Sequence, residues 1–264
     1  MPQDVPRFAP ALLLIGENMP LRWTLDVERV ERTHQMRPVE PRFVHAAACA
    51  LFEGPERAPQ HHQQRKPFAV VPPYSTADGV AWQLTWLGED ALCPAVAVGT
   101  EVRFGNQRMV VARVSCDERS WASLSQAPPV RKAQIDFPTG TTFSRDSRRH
   151  YPLPDPETLF AGLLRRWNAF APAVLRVHSD RVAAFLLDVV LTECEIATRS
   201  VVVGQGSRPV FTGTIHVGLV GSSSEHALLL GALLRWAECA GVGALTTHGL
   251  GVVEVRTGPG ERPG

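Results

Sequence analysis

Apolar positions along the chain switch between two periods. Near the N-terminus, Leu12 to Ile15 is a short apolar run and Leu21 to Val27 partly alternates; both read as strands. Phe43 to Phe52 is alanine-rich and helical, and Gly54-Pro55 ends it. Phe68 to Val71 and Arg108 to Val114 read as strands. Between them, Ala81 to Leu87 places Trp82, Leu84 and Trp86 on one face, as a half-buried strand requires. Ala127-Pro128-Pro129 then interrupts the pattern.

The second half is more regular. Arg131 to Phe137 forms a strand, and Arg145 to Pro154 is a polar, basic loop. Asp155 to Phe170 carries Leu159, Phe160, Leu163, Leu164 and Trp167 on one stripe, an amphipathic helix. Val182 to Ile196 and Pro209 to Leu219 read as strands. Ser222-Ser223-Ser224 caps a helix running to Ala240, and Val252 to Val255 is a last strand. Strand, helix, strand, strand, helix, strand is the order of a ferredoxin-like split βαβ unit. The first half fits a more irregular version. The expectation is an α+β protein of two tandem ferredoxin-like domains, residues 1–127 and 128–264, related by element order rather than by residue identity.

Between the last helix and the last strand, Gly241, Gly243, Gly249 and Gly251 crowd into eleven residues. Nucleotide-phosphate loops run strand, glycines, helix, because the helix N-terminus holds the phosphate. Here the glycines leave a helix and enter a strand, which excludes a Rossmann or P-loop reading. What remains is a backbone able to approach a partner closely and offer N–H groups to an anion.

Composition narrows the classes. The 264 residues, 44% hydrophobic, suffice for packed cores and argue against a disordered chain. No apolar run reaches the roughly 20 residues that span a bilayer. The first residues lack the basic and apolar regions of a secretory signal. Five widely spaced cysteines without a Cys-x-x-Cys pair indicate neither a disulfide framework nor a zinc knuckle, and a cytoplasmic protein with reduced thiols is expected. Nine histidines include no metal-binding spacing, so neither metal nor cofactor is expected. The net charge of +1 gives little support to nucleic-acid binding. Yet Lys66 and Lys132 are the only lysines among 27 cationic residues, and arginine suits phosphate and base contacts.

Several segments resemble one family in the same order. They are His61-His62-Gln63-Gln64-Arg65-Lys66-Pro67-Phe68, then Phe137-Pro138-Thr139-Gly140-Thr141-Thr142-Phe143, then Pro154 to Phe160 with Arg166-Trp167-Asn168. Phe211-Thr212-Gly213-Thr214 and the glycine loop complete the set. The chain resembles the CRISPR-associated endoribonucleases that cut precursor crRNA, the repeat-processing branch of the RAMP superfamily, with features of a type IV-like variant.

That resemblance implies cleavage of CRISPR repeat RNA without a metal, through attack of a 2′-OH, leaving a 2′,3′-cyclic phosphate and a 5′-OH. It implies a histidine and a following lysine as catalytic groups, matched here by His62 and Lys66, with His61 and Arg65 beside them. Histidine titrates in the range a general base or acid needs, and a cation suits the charged transition state. RNA contacts are implied at Gly241, Gly243, Thr247, His248, Gly249 and Gly251. The basic loop adds Arg145, Arg148 and Arg149. Partners would be repeat RNA and other CRISPR effector subunits, not a membrane. The chain departs from relatives that pair the histidine with a tyrosine in the first helix, where it has Ala46 to Ala48 and Cys49; Arg65, Arg37 and Arg22 are the substitutes. His45 either points into a cleft or is a half-buried structural histidine. The surplus of glycines predicts that valine at 243 or 251 weakens RNA binding in a folded protein. An alternative reading is a non-catalytic RAMP-fold subunit that binds crRNA.

Overall fold

The computed structural model describes residues 20–30, 36–53, 66–77, 79–89, 93, 95–144 and 149–258. The expected strand at Leu12 to Ile15 lies outside them. The first half begins with β1 (Leu21–Arg29) and α1 (Pro41–Glu53), followed by β2 (Phe68–Val70), β3 (Tyr74–Thr76) and β4 (Gly79–Trp86). It ends with β5 (Glu101–Phe104), β6 (Gln107–Glu118) and the short α2 (Trp121–Ser125). Its sheet runs β2-β4-β1-β6-β5, with β3 also on β4 and every neighbour antiparallel. Leaving out the added β3 and β5, the order of the four remaining strands is that of a ferredoxin-like unit. Between β4 and β6, where that unit carries a second helix, the described residues hold only β5. This is the irregular version expected.

The second half is complete. It comprises β7 (Lys132–Thr141), the small β8 (Phe143–Ser144) and β9 (His150–Tyr151), α3 (Pro156–Phe170) and α4 (Ser179–Asp188). The long hairpin β10 (Val189–Val203) and β11 (Gly206–Leu219) follows, then α5 (Ser224–Ala240) and β12 (Glu254–Thr257). The sheet order β10-β11-β7-β12 repeats that of the first half. α4 is an insertion, and it corrects the expected strand from Val182. The run Val182 to Leu187 is apolar without a decisive period, and such short runs do not separate helix from strand. Asp180 in the first turn complements the helix dipole, and Phe185 is fully buried beneath α4.

The helices form where the sequence indicates, for visible reasons. The side chain of Asp155 accepts the amide of Thr158 at the N-cap of α3, and Ser223 accepts that of His226 at the N-cap of α5. α3 buries the expected stripe of Leu159, Phe160, Leu163, Leu164 and Trp167. α5 is buried on most of its circumference because it lies between the halves, touching α2, α3, β2 and β12. Trp121 of α2 meets Trp167 of α3 and Trp236 of α5 at ring separations of 5.2 and 5.0 Å. One apolar cluster runs from Trp23 and Phe52 in the first half to Ile135 and Val255 in the second.

Candidate active site

Helix α1 carries Val44, Ala48 and Phe52 into the core and leaves His45 half-buried at its flank. His45 does not face its own sheet alone; it meets the glycine loop of the other half. Its Nδ1 lies 3.1 Å from the backbone carbonyl oxygen of Thr247. A carbonyl only accepts, so Nδ1 carries a proton, and in the neutral form of the ring the lone pair lies on Nε2. Cys49, one helical turn on, places its thiol 3.5 Å from that Nε2. The ring of His248 lies parallel to His45, 4.0 Å away at 5°. Phe68 of β2 stacks on its other neighbourhood at 6.2 Å.

His248 closes a 3-10 turn, Thr246–His248, within the glycine loop, and its Nδ1 lies 3.1 Å from the hydroxyl of Thr247. Burial, helped by the neighbouring His45, lowers its pKa to about 4. At neutral pH His248 therefore adds no charge to the stack, and His45 can take up a proton without facing a second cation.

The loop is held from several directions. The amide of Val242 donates to Gly251 O, that of Ala244 to Thr142 O and that of Gly251 to Gly140 O, at 2.8, 2.8 and 3.0 Å. Val252 N donates to the hydroxyl of Thr139. All four glycines have positive φ, between 71° and 81°. A Cβ at Gly243 would collide with the carbonyl of Thr142, and one at Gly251 with that of Val242. These glycines are thus required by the protein's own backbone, whatever else the loop touches. Gly249 likewise packs on Pro72, beside β2, and Leu245 itself sits in the left-handed region at φ 63°.

Beyond β2 lies a cleft of about 520 Å³ between the halves. Arg22, Tyr74, Gln83 and Thr85 line it from the first sheet, and Thr139, Glu238, Gly241 and Thr246 from the second half. Arg22 donates to the carbonyl of Glu238 at 2.6 Å, tying one wall to the other. Burial raises the Glu238 carboxyl above its usual range. β2 divides this cleft from the histidine pair: Phe68 packs toward His45, while Ala69 lines the cleft.

Of the residues nominated from sequence, Thr247, His248 and the four glycines come together at this junction. Lys66 is half-buried at the entry to β2, two residues before Phe68. His61, His62 and Arg65 lie outside the described residues, as do Arg145 and Arg148. Arg149 is exposed beside β9, next to His150, whose pKa burial and Arg208 lower. Sequence left His45 between a cleft and a half-buried structural position; it is half-buried and hydrogen-bonded to Thr247 across 202 residues, and is not among the described residues lining the cleft. Among the described residues no three His, Cys, Asp or Glu side chains converge as a metal site would need, and no helix is long and apolar enough to cross a membrane.

A sequence profile described as CRISPR-associated endoribonuclease Cas6 matches residues 135–253. A Cas6 product complex superposes with a TM-score of 0.74 at 27% identity, covering 90% of this chain and all of that one. Thermus thermophilus Cas6 follows at 0.69 and 27%, covering 90% and 99%. A Cas6-related protein of Pyrococcus furiosus shares the fold at 0.55 and 11% identity, covering 90% and 98%. No curated protein matches the sequence. Two ferredoxin-like units closed over a glycine-rich loop form a RAMP-type fold. Within that class the second half matches the Cas6 family of CRISPR-associated endoribonucleases, and the whole fold is similar to Cas6 structures.

Proposed function

We propose that the chain cuts CRISPR repeat RNA without a metal, and that His45 transfers a proton in the reaction. The observation that carries this is the hydrogen bond from His45 on α1 to Thr247 in the glycine loop, which brings a titratable imidazole of one half onto the loop of the other. In the reaction a 2′-oxygen attacks the adjacent phosphorus, its proton passing to a base. The bond to the 5′-oxygen breaks, and that oxygen takes up a proton. The products are a 2′,3′-cyclic phosphate and a 5′-OH. His45, with Nδ1 anchored on a carbonyl, offers Nε2 for the first transfer. The weak thiol contact from Cys49 is the one an RNA hydroxyl would replace.

The segment His61, His62, Arg65 and Lys66 remains the source for the acid and the cation. It leads directly into β2, whose Phe68 lies against His45. The cleft beside β2 and the exposed Arg149 are the surfaces along which repeat RNA runs. The first sheet and its helix act as the catalytic domain, residues 1–127, and residues 128–264 supply the loop. The chain works in the cytoplasm.

Single-turnover cleavage of its own repeat RNA in EDTA is the test. His45→Ala and His62→Ala are each expected to lower the rate by about 10²-fold, the usual scale for one acid or base, with RNA affinity nearly kept. A rate within a fewfold of wild type removes that residue from the mechanism. RNA that is bound but never cut, with or without metal, would mean the non-catalytic subunit instead.

A further inference from the structure

We propose that Arg166 is a positioning residue for the catalytic centre: its guanidinium clamps the first half of the glycine loop, between Ala240 and Thr246, and so fixes the carbonyl that orients His45. This rests on the reading of His45 above.

Arg166 projects from α3 and donates through Nη1 to two oxygens. One is the carbonyl of Ala240, the last residue of α5; the other is the hydroxyl of Thr246, 2.9 Å away. Between those acceptors runs Gly241 to Leu245. That stretch includes three residues with positive φ, Gly241, Gly243 and Leu245. Such a backbone has many alternatives open to it unless its ends are held. The residue after Thr246 is Thr247, whose carbonyl accepts from His45. The sequence of contacts is therefore Arg166 to Thr246, along one peptide to Thr247, and across to His45.

The charge supports a directional role. Burial lowers the Arg166 pKa to about 10, so the group is still charged at neutral pH. Among the described residues no carboxylate is paired with it; its acceptors are two neutral oxygens. The negative end of the α5 dipole offsets part of the cost of burying a cation there. For stability alone an apolar side chain of similar length serves as well or better at such a place. What it lacks is a donor: the Nη1 of Arg166 carries two N–H groups, fixed in the guanidinium plane, one for each oxygen. The neighbouring Arg165 is exposed and provides a control.

The experiment uses the full chain and repeat RNA. Arg166→Met should lower single-turnover cleavage by up to about 10²-fold, as for a small displacement of a catalytic group, with affinity changed only a fewfold. Arg166→Lys, which keeps the charge but not the planar pair of N–H groups, should recover part of the rate. Arg165→Met should match wild type. In a His45→Ala background Arg166→Met should cost nothing further, because a residue that acts through His45 has nothing left to act on. An equal cost in both backgrounds overturns the proposal, as does a loss of affinity as large as the loss of rate. Nitrogen-15 NMR of the His45 ring reads the same point without catalysis. Wild type should show the Nδ1-protonated tautomer, and Arg166→Met a mixture. An unchanged ring would overturn the proposal even if His45→Ala is inactive. If His45→Ala cleaves normally, the catalytic reading fails, and the NMR result alone decides the positioning. Should Arg166→Met not fold, Thr246→Val removes one acceptor and takes its place in every arm.

Discussion

His45 and His248 share a stack but differ in burial, and that difference predicts a pH response. With a folded pKa of about 4 against an ordinary 6.5, His248 is neutral in the folded chain where it is charged in the unfolded one. Between those values the unfolded state binds more protons, so stability rises with pH. Unfolding in urea should show a loss of about 1–2 kcal/mol from pH 6.5 to 4 from this ring, below the full linkage value because water still reaches it. His248→Phe keeps the stack and should flatten that part of the profile; an unchanged slope would mean another group is responsible. The glycines argue at the same scale. Gly204 also has positive φ, but nothing lies near its missing Cβ, whereas a Cβ at Gly251 meets the carbonyl of Val242. Gly204→Ala should cost only the backbone strain of about 1–2 kcal/mol. Gly251→Ala should cost clearly more in thermal melts, and RNA affinity should fall with it. Valine at 243 or 251 is thus expected to lower stability together with binding, not binding alone.

Among the elements, the β10–β11 hairpin depends on one residue. Gly213, at φ 128°, lies at an irregularity in the β11–β7 pairing, and a Cβ there would collide with the carbonyl of Glu195 on β10. The paired strand comes too close for any side chain, which is why glycine stands in the middle of an otherwise continuous strand. Beyond Phe211, β11 has no partner in β7, so residues 199–210 pair only within the hairpin. A two-stranded ribbon is marginal by itself. Amide exchange should therefore be fast at 199–210 and slow at 213–218. Gly213→Ala should spread fast exchange down β10 to Glu193. Uniform protection along the hairpin in wild type would contradict this.

Over the whole molecule, the two halves share one core instead of touching at a surface. The strands of the first sheet all precede residue 119 and those of the second all follow 131, yet the connector is not loose. Ala127 is buried, Val130 N donates to Ala227 O at 2.9 Å, and a Cβ at Gly231 of α5 would collide with the carbonyl of Pro128. Trp236, fully buried, packs with Trp121 and Trp167 at the centre of this arrangement. Trp236→Ala should cost about 3–5 kcal/mol. Unfolding followed by calorimetry and by circular dichroism should coincide in one transition in the wild type, since neither half retains its core when the other is lost. Two separated transitions would refute a common core.

By itself the sequence determined the local elements with clear periods and caps: the stripe of α3, the Ser223 cap of α5, the alternation of Trp23, Leu25 and Val27 in β1. From these came the element order of two ferredoxin-like units, because hydrophobic periodicity and capping act within a few residues of chain. It also showed that the glycine loop follows a helix and precedes a strand, and so was no phosphate loop of the Rossmann kind. It did not separate helix from strand at Val182 to Leu187, where a short apolar run satisfies both. Nor did it explain the surplus glycines, whose reasons are carbonyls of Thr142 and Val242 that only folding brings near. His45 is the clearest case. In sequence it is one polar residue on an alanine-rich helix; its meaning depends on Thr247 and His248, about 200 residues away. Arg166 and Arg165 are likewise identical neighbours until α3 packs on the end of α5. Only then is one guanidinium buried against the loop while the other stays in water. No local pattern encodes that difference, because burial is decided by what packs against the helix from elsewhere in the chain.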